Sequence, residues 1–254
     1  MSASTATSPS PTADRQTLIG VGLSLTIIMA WATVHVWGVH FFRIGTDNWF
    51  WVPPLILLQM WLSVGLFIIA HDAIHGSLAP GRRWLNDAFG WVTLTLYAGF
   101  NYRRFAAAHH AHHKAPGTKY DPDFSVTAPT AFLPWYKEFM GRHFSWRPLI
   151  FVNVVVGIYW LVLGASMVNI FLFYGLPAIA SSAQLFYFGT FRPHRHGADG
   201  PAFADDHHAN TNEFGFWASL FSCYHFGYHH EHHLYPYEPW WRLPARRLYG
   251  RSPS

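Results

Sequence analysis

The chain has 254 residues, of which 51% are hydrophobic and only 12% charged. Soluble domains contain about 25% charged residues, so this composition excludes an ordinary soluble protein and favours one membrane domain. The net charge of +4 is explained by basic residues beside membrane spans, which attract anionic lipid, and nucleic acid is not expected as a partner. The single cysteine, Cys223, excludes an internal disulfide and any CxxC zinc, haem-c or iron–sulfur site.

An N-terminal polar segment is followed by long apolar runs. Residues 1–16 are rich in Ser, Thr, Pro and Ala and are predicted to form a disordered tail, which leaves 17–254 as one membrane-embedded domain. A bilayer core takes about 20 residues of helix, and the run 148–191 is about twice that length, so it predicts a hairpin that turns near 164–166. The predicted membrane-spanning helices are 18–40, 50–74, 148–164 and 167–191.

The segment Trp84–Phe105 is apolar, but it carries polar residues near both of its ends. If it crossed the bilayer, the histidines before and after it would lie on opposite faces, about 30 Å apart, and could not share a metal site. We therefore interpret it as an interfacial or half-buried helix that returns to the side from which it started. Every Lys and Arg except Arg43 then falls on the histidine side, which predicts that this side is cytoplasmic.

Three histidine motifs follow or precede these apolar segments. They read His71-Asp-Ala-Ile-His75, then HxxHH at 109–113, then HxxHH again at 229–233. Residues three or four apart share one face of a helix, and neutral imidazole binds Zn, Cu, Fe and Ni. Eight imidazoles are too many for one metal, so the spacing predicts a pair of metal ions without deciding which metal they are. The eight predicted ligands are His71, His75, His109, His112, His113, His229, His232 and His233.

A ninth ligand is predicted from the segment that follows the last span. His194 lies in Phe-Arg-Pro-His-Arg directly after that span, and the alternatives are His225 and the pair His207–His208. Asp72, between two predicted ligands, is a candidate to hydrogen-bond a ligand imidazole. His110 is left out of the site because it lies off the shared face, and His143 is predicted to lie in a loop.

These motifs resemble the membrane fatty-acid desaturase and hydroxylase superfamily. The sequence from His71 to Gly76, the segment Phe191–Arg195 and the closing Tyr-His-His-Glu-His-His-Leu-Tyr-Pro at 228–236 are similar to the bacterial beta-carotene ketolases within it. The resemblance covers nearly the whole chain after residue 16. It implies an all-α integral membrane protein of about four transmembrane helices plus interfacial helices, in the bacterial inner membrane, with a histidine-rich di-iron site on the cytoplasmic side.

The resemblance also implies an activity. Two non-haem iron ions, with O2 as co-substrate, would introduce keto groups at C4 and C4′ of the beta-ionone rings of carotenoids, through two successive hydroxylations and loss of water. Beta-carotene would give echinenone and canthaxanthin, and zeaxanthin would give astaxanthin. The nine histidines would be the iron ligands, and a ferredoxin-type or similar donor would supply electrons. Candidates to shape a tunnel for the polyene are Trp91, Tyr97, Phe105, Phe188 and Phe191.

Two other functions compete with this hypothesis. Desaturation or hydroxylation of an acyl chain uses the same histidine motifs, which alone do not exclude it. A histidine-rich metal transporter or a haem electron carrier is a candidate of another class. A transporter is expected to place ionisable residues in mid-membrane, whereas the histidine motifs here lie at the ends of the predicted spans.

Overall fold

The computed structural model describes residues 11–196 and 203–249, and the regular structure of these residues is helical. Three helices, α1, α6 and α7, include π-helical turns, and we number all helices in chain order with those turns included. The helices are α1 (Pro11–Phe41), α2 (Trp49–His75), α3 (Arg83–Ala98), α4 (Tyr102–Lys114), α5 (Phe132–His143), α6 (Trp146–Val162), α7 (Met167–His194), α8 (Phe216–Cys223), α9 (His229–Leu234) and α10 (Leu243–Tyr249).

Three helices, α1, α2 and α7, are long and apolar enough to cross a membrane. The helix α6 reaches that length only together with α5, from which it is bent by 85°, so the described residues provide three or up to four spans. Large apolar side chains on these helices, among them Leu25, Met29 and Leu161, are exposed, as expected for contact with lipid. The prediction of an all-α membrane protein is confirmed.

The helix α2 lies at the centre of the fold and packs against α1, α3 and α7. Its residues Val64, Leu66 and Ile68 have no exposed surface, and a helix that is apolar on all sides is suited to such a central position. Gly76 terminates the helix directly after His75, because its φ of 70° is a left-handed conformation that glycine adopts without steric cost. The last two turns of α2 therefore carry His71 and His75 on a rigid element.

The segment that was predicted to be one interfacial helix forms two helices. Gly99, with a φ of 71°, ends α3, and Asn101 caps the start of α4 by accepting a hydrogen bond from the Arg104 amide at 3.0 Å. The break reverses the chain, and His109 Nε2 comes to lie 2.7 Å from His75 Nε2. The segment thus returns to the side it left, as predicted, but through a turn at residues 99–101 and not along a single helix.

The predicted disordered tail is wrong for residues 11–16, because α1 begins at Pro11. Tertiary contacts are the reason. Gln16 donates a hydrogen bond to the Ser77 carbonyl at 2.7 Å, and Arg82 pairs with Asp14, so the first turns of α1 are held against the loop after α2. Residues 1–10, the rest of the predicted tail, lie outside the described residues.

Candidate metal centre

Nine histidines from four helices converge in two adjacent clusters. In each cluster the candidate ligand atoms all lie within 4.8 Å of one another. The five-histidine cluster consists of His71, His75, His109, His113 and His232. The four-histidine cluster consists of His112, His194, His229 and His233. The clusters adjoin where the rings of His113 and His233 stack, with their centroids 4.3 Å apart.

Within each cluster the Nε2 atoms face one another. In the five-histidine cluster the Nε2–Nε2 distances are 2.7 Å from His75 to His109, 3.1 Å from His71 to His232 and 2.9 Å from His113 to His232. In the four-histidine cluster they are 3.2 Å from His112 to His233, 2.9 Å from His194 to His229 and 3.1 Å from His229 to His233.

Each HxxHH motif is divided between the two clusters. In α4, His109 and His113 belong to the five-histidine cluster and His112 to the other. In α9, His229 and His233 belong to the four-histidine cluster and His232 to the five-histidine cluster. The reason is helix geometry, because adjacent residues are rotated by about 100° around the axis, whereas residues four apart nearly coincide. One HxxHH helix therefore faces two sites at once.

The hydrogen bonds at the other ring nitrogens fit metal binding. Metal-ligating histidines usually donate their second N–H to a carboxylate or carbonyl, which fixes the tautomer. His112 Nδ1 lies 2.9 Å from Asp121 Oδ2, and His194 Nδ1 donates to the His208 carbonyl at 2.7 Å. With Nδ1 protonated, Nε2 of each ring turns a lone pair into its cluster. A cation bound between such lone pairs would satisfy them, so the donor set fits metal ions.

Burial keeps most of the imidazoles in the form that binds metal. Burial first, and then the charges of neighbouring histidines, hold the pKa of His109, His229, His232 and His233 well below the usual value, so these rings are neutral at neutral pH. Burial also acts to lower the pKa of His112, but its hydrogen bond to Asp121 and the carboxylate charge outweigh that effect and raise it. Neutral imidazole is the species that coordinates metals.

All nine histidines named from the sequence lie in the two clusters, and their role as ligands remains a prediction. His194 is placed among them, whereas the alternatives are not. The ring of His225 packs on Phe216, with the centroids 4.7 Å apart, and His208 Nδ1 donates to the Pro116 carbonyl. His207 lies at the surface beside Asp205. The prediction of a loop for His143 is wrong, since it is the last residue of α5.

The two carboxylates beside the clusters, Asp72 and Asp121, have different hydrogen-bond partners. Asp72 Oδ1 is 3.4 Å from His71 Nδ1, a long distance for a hydrogen bond, and its Oδ2 accepts from the Trp240 amide at 3.1 Å. Asp72 therefore fixes the C-terminal segment on α2 at least as much as it orients His71. The sequence analysis missed Asp121, which follows α4 in an irregular loop where no helical spacing points to it.

We expect Asp121→Asn to weaken metal binding in the four-histidine cluster. The amide loses the charge that supports His112, and loss of such an orienting carboxylate typically costs about 10- to 100-fold in metal affinity or activity. Metal content at a limiting metal concentration and turnover of the purified variant measure the effect. Asp205→Asn is the matched control, because Asp205 pairs with His207 and His230 outside both clusters. Equal metal content and turnover in the Asp121→Asn variant and the unaltered protein would contradict this role.

A pocket of about 940 Å³, part of it open to solvent, leads to both clusters. Its wall includes two histidines of each cluster, and most of the rest is apolar. Of the predicted tunnel residues, Tyr97 and Phe105 line it, while Trp91, Phe188 and Phe191 do not. The lining also includes Phe67, Ala70, His71, Ile74, Leu94, Phe100, Ala108, His109, His112, Asp123, Phe139, Met140, His143, Phe144, Ser182, Leu185, Phe186, Gly189, Thr190, Phe226 and His229.

Comparison with known proteins agrees with this architecture. The sequence profile of the family described as fatty acid desaturase matches residues 47–150 and 135–251. The chain is 46% identical over 225 residues to a beta-carotene ketolase from a Paracoccus strain, covering 88% of this chain and 90% of that one. It is 43% identical over 247 residues to a beta-carotene ketolase from a second Paracoccus strain, covering 95% and 97%.

A more distant relative carries a different substrate in its name. The chain is 32% identical over 247 residues to a zeaxanthin 4-ketolase from Chlamydomonas reinhardtii, covering 94% of this chain and 55% of the other. The match to the family profile extends over both histidine clusters and the pocket between the helices that bear them. The chain belongs to the fatty acid desaturase family.

Proposed function

We propose that this chain is an iron- and O2-dependent membrane oxygenase that introduces keto groups at C4 and C4′ of the beta-ionone rings of carotenoids. The observation that carries the proposal is the apolar pocket, whose lining includes His71 and His109 of one cluster and His112 and His229 of the other. A hydrocarbon substrate suits such a pocket, because most of its wall is apolar and aromatic and only a few polar side chains face into it. The ketolases that cover nearly the whole chain support the carotenoid as that hydrocarbon.

The nine histidines would hold two non-haem iron ions, in keeping with the di-iron and O2 chemistry of the desaturase family. Bound there, the iron pair would supply the oxidising power for inserting an oxygen atom of O2 into a C–H bond. Most of the donors are imidazoles that burial keeps neutral, and Asp121 orients the ring of His112. Neutral nitrogen donors suit iron, although they would also accept other divalent metals.

The remaining pocket residues position the ring and exclude water. Phe67, Phe100 and Phe105 pack edge to face as neighbours, with the Phe67–Phe105 and Phe100–Phe105 centroids 5.4 and 5.1 Å apart. They form an aromatic wall against which a beta-ionone ring and the start of its polyene would lie. The ring methylene would then face the four pocket histidines. A fixed orientation of this kind selects one carbon of the ring for attack.

The proposed reaction balances in three steps. In the first, a C–H bond at C4 becomes C–OH, while one O2, two electrons and two protons are consumed and the second oxygen atom leaves as water. The second step repeats this at the same carbon and gives a geminal diol. The diol loses water to give the ketone. The electrons would come from a separate ferredoxin-type or similar donor, since the sequence contains neither a GxGxxG nor a GxxxxGK[ST] nucleotide motif.

We further propose that the protein lies in the bacterial inner membrane with the metal clusters on the cytoplasmic side. The charge distribution supports this orientation. Gln16 at the start of α1 bonds Ser77 beside the clusters, so that end of α1 is on the cluster side, and Arg43 follows the far end. Basic residues are enriched on the cytoplasmic side of membrane proteins.

Expression in bacteria that accumulate beta-carotene tests the proposed activity. We expect echinenone and canthaxanthin to appear, identified by chromatography and mass spectrometry, and astaxanthin to appear in cells that accumulate zeaxanthin. An inactive variant lacking a cluster histidine, produced at the same level, is the control. If no ketocarotenoid forms while the membrane acyl chains become desaturated or hydroxylated, the acyl-chain alternative is correct and the ketolase proposal fails.

A further inference from the structure

One polar pair interrupts the apolar wall of the pocket away from the metal clusters. His143 Nε2, at the end of α5, lies 2.7 Å from Asp123 Oδ1, and both residues line the pocket. Their side chains are only 9% and 14% exposed. Of the described residues that line the pocket, Asp123 is the one carboxylate. A buried carboxylate in an apolar wall is costly unless it is hydrogen-bonded, so Asp123 depends there on its hydrogen bond to His143.

The carboxylate lies beside one histidine of the four-histidine cluster. An oxygen of Asp123 is within 4.8 Å of a ring nitrogen of His112, which belongs to the four-histidine cluster and also lines the pocket. A ring carbon held against that cluster would place a substituent of the neighbouring carbon toward Asp123. The pair is therefore positioned to contact a group one carbon away from the carbon that is oxidised.

The carboxylate is not needed to hold its own loop in place. The Asp123 amide donates to Asp121 Oδ1 at 2.8 Å, and the Asp123 carbonyl accepts from Trp135 Nε1 at 2.7 Å. Arg142, the nearest cation in sequence to His143, donates to the carbonyls of Pro122 and Phe124. Within the described residues His143 is the one hydrogen-bond partner of the Asp123 carboxylate. The main-chain bonds would persist if the side chain were removed.

We propose that Asp123, held by His143, accepts a hydrogen bond from a hydroxyl group on the ring carbon next to the oxidised one, and so sets the preference between hydroxylated and unsubstituted rings. The inference rests on the proposed function, which supplies the ring substrate. Zeaxanthin and beta-carotene differ by this hydroxyl, and the names of the relatives include both. When the hydroxyl is absent, His143 still satisfies Asp123, so unsubstituted rings are accepted as well.

The two members of the pair are expected to shift this preference in opposite directions. Asp123→Ala removes the acceptor, so the ratio of kcat/KM for zeaxanthin to that for beta-carotene should fall by about 10- to 100-fold, the effect of losing a hydrogen bond to a charged group. His143→Phe keeps the ring packing on Phe139 but leaves the carboxylate without its partner. An unsubstituted ring would then bury an unpaired carboxylate, and the ratio should rise.

The experiment is a competition between the two carotenoids in one reaction with the full-length enzyme in membranes, followed by chromatography of both products. Lys137→Gln, on the same helix but exposed and outside the pocket, is the control and should leave the ratio unchanged. A ratio that stays constant in both variants, or moves the same way in both, overturns the inference. If Asp123→Ala does not retain iron, Asp123→Leu, which also lacks an acceptor, takes its place. The unaltered enzyme tests the proposed function separately, because failure there means that neither carotenoid is converted.

Discussion

Replacement of His113 by alanine is expected to abolish ketocarotenoid formation and to reduce the bound iron from the proposed two ions per chain to one or none. His113 Nε2 lies 2.9 Å from His232 Nε2 in the five-histidine cluster, and its ring also stacks on His233 of the other cluster. Because loss of a residue that only orients a ligand costs about 10- to 100-fold, loss of a ligand should lower turnover by more than about 100-fold. Elemental analysis and product quantification measure both effects.

His110→Ala is the matched control for this prediction. His110 lies in the same helix and the same motif, but its side chain is exposed and it belongs to neither cluster. It should retain two irons and nearly full turnover. If His110→Ala and His113→Ala lost iron to the same degree, metal binding would depend on the histidine content of α4 and not on the clusters that the fold assembles.

Replacement of Ala108 by phenylalanine is expected to block the substrate while leaving the metal centre loaded. Ala108 lines the pocket one residue before His109, and a benzyl group there would occupy space next to the pocket histidines. Displacing a reacting carbon by about 1 Å can cost about 100-fold in rate, and we expect a loss of at least that order for beta-carotene. Iron content should stay at the level of the unaltered protein, which separates this result from the loss of a ligand.

The neighbouring residue Ala107 provides the control. It is exposed and does not line the pocket, so Ala107→Phe adds the same ring to the same helix without entering the cavity. The variant should keep its turnover. Undiminished ketolase activity in Ala108→Phe would mean that the carotenoid reaches the clusters by another route. It would contradict the assignment of this pocket as the substrate site, on which the proposed function depends.

Hydropathy was sufficient to predict the long helices but not the breaks between them. The spans α1, α2 and α7 follow directly from apolar runs longer than a bilayer requires. The reversal at Gly99 was inferred only from the need to bring two histidine motifs together, because the segment before it is apolar like a span. The 85° bend between α5 and α6 and the helical start at Pro11 depend on contacts with distant residues, which local sequence does not encode.

The candidate site also contains residues that the sequence predicted and residues that it did not. Helical spacing pointed to the eight histidines, and position after the last span pointed to His194, since these residues lie on or beside regular helices. Asp121 and Asp123 lie in the irregular loop after α4, where no periodicity indicates which side chains turn inward. The pocket could not be read from the sequence either, and only two of the five predicted tunnel aromatics line it.

The two clusters join parts of the chain that are far apart in sequence, from His71 to His233. The helix α9, which contributes three of the nine histidines, has only six residues, and a helix that short is not stable by itself in water. Iron would thus act as a cross-link that fastens α9 to α2, α4 and α7. Neither metal site is complete before α9 has been synthesised and docked, so iron insertion would be a late step in biogenesis. Chelation of the iron would loosen α9 first, where limited proteolysis could detect it.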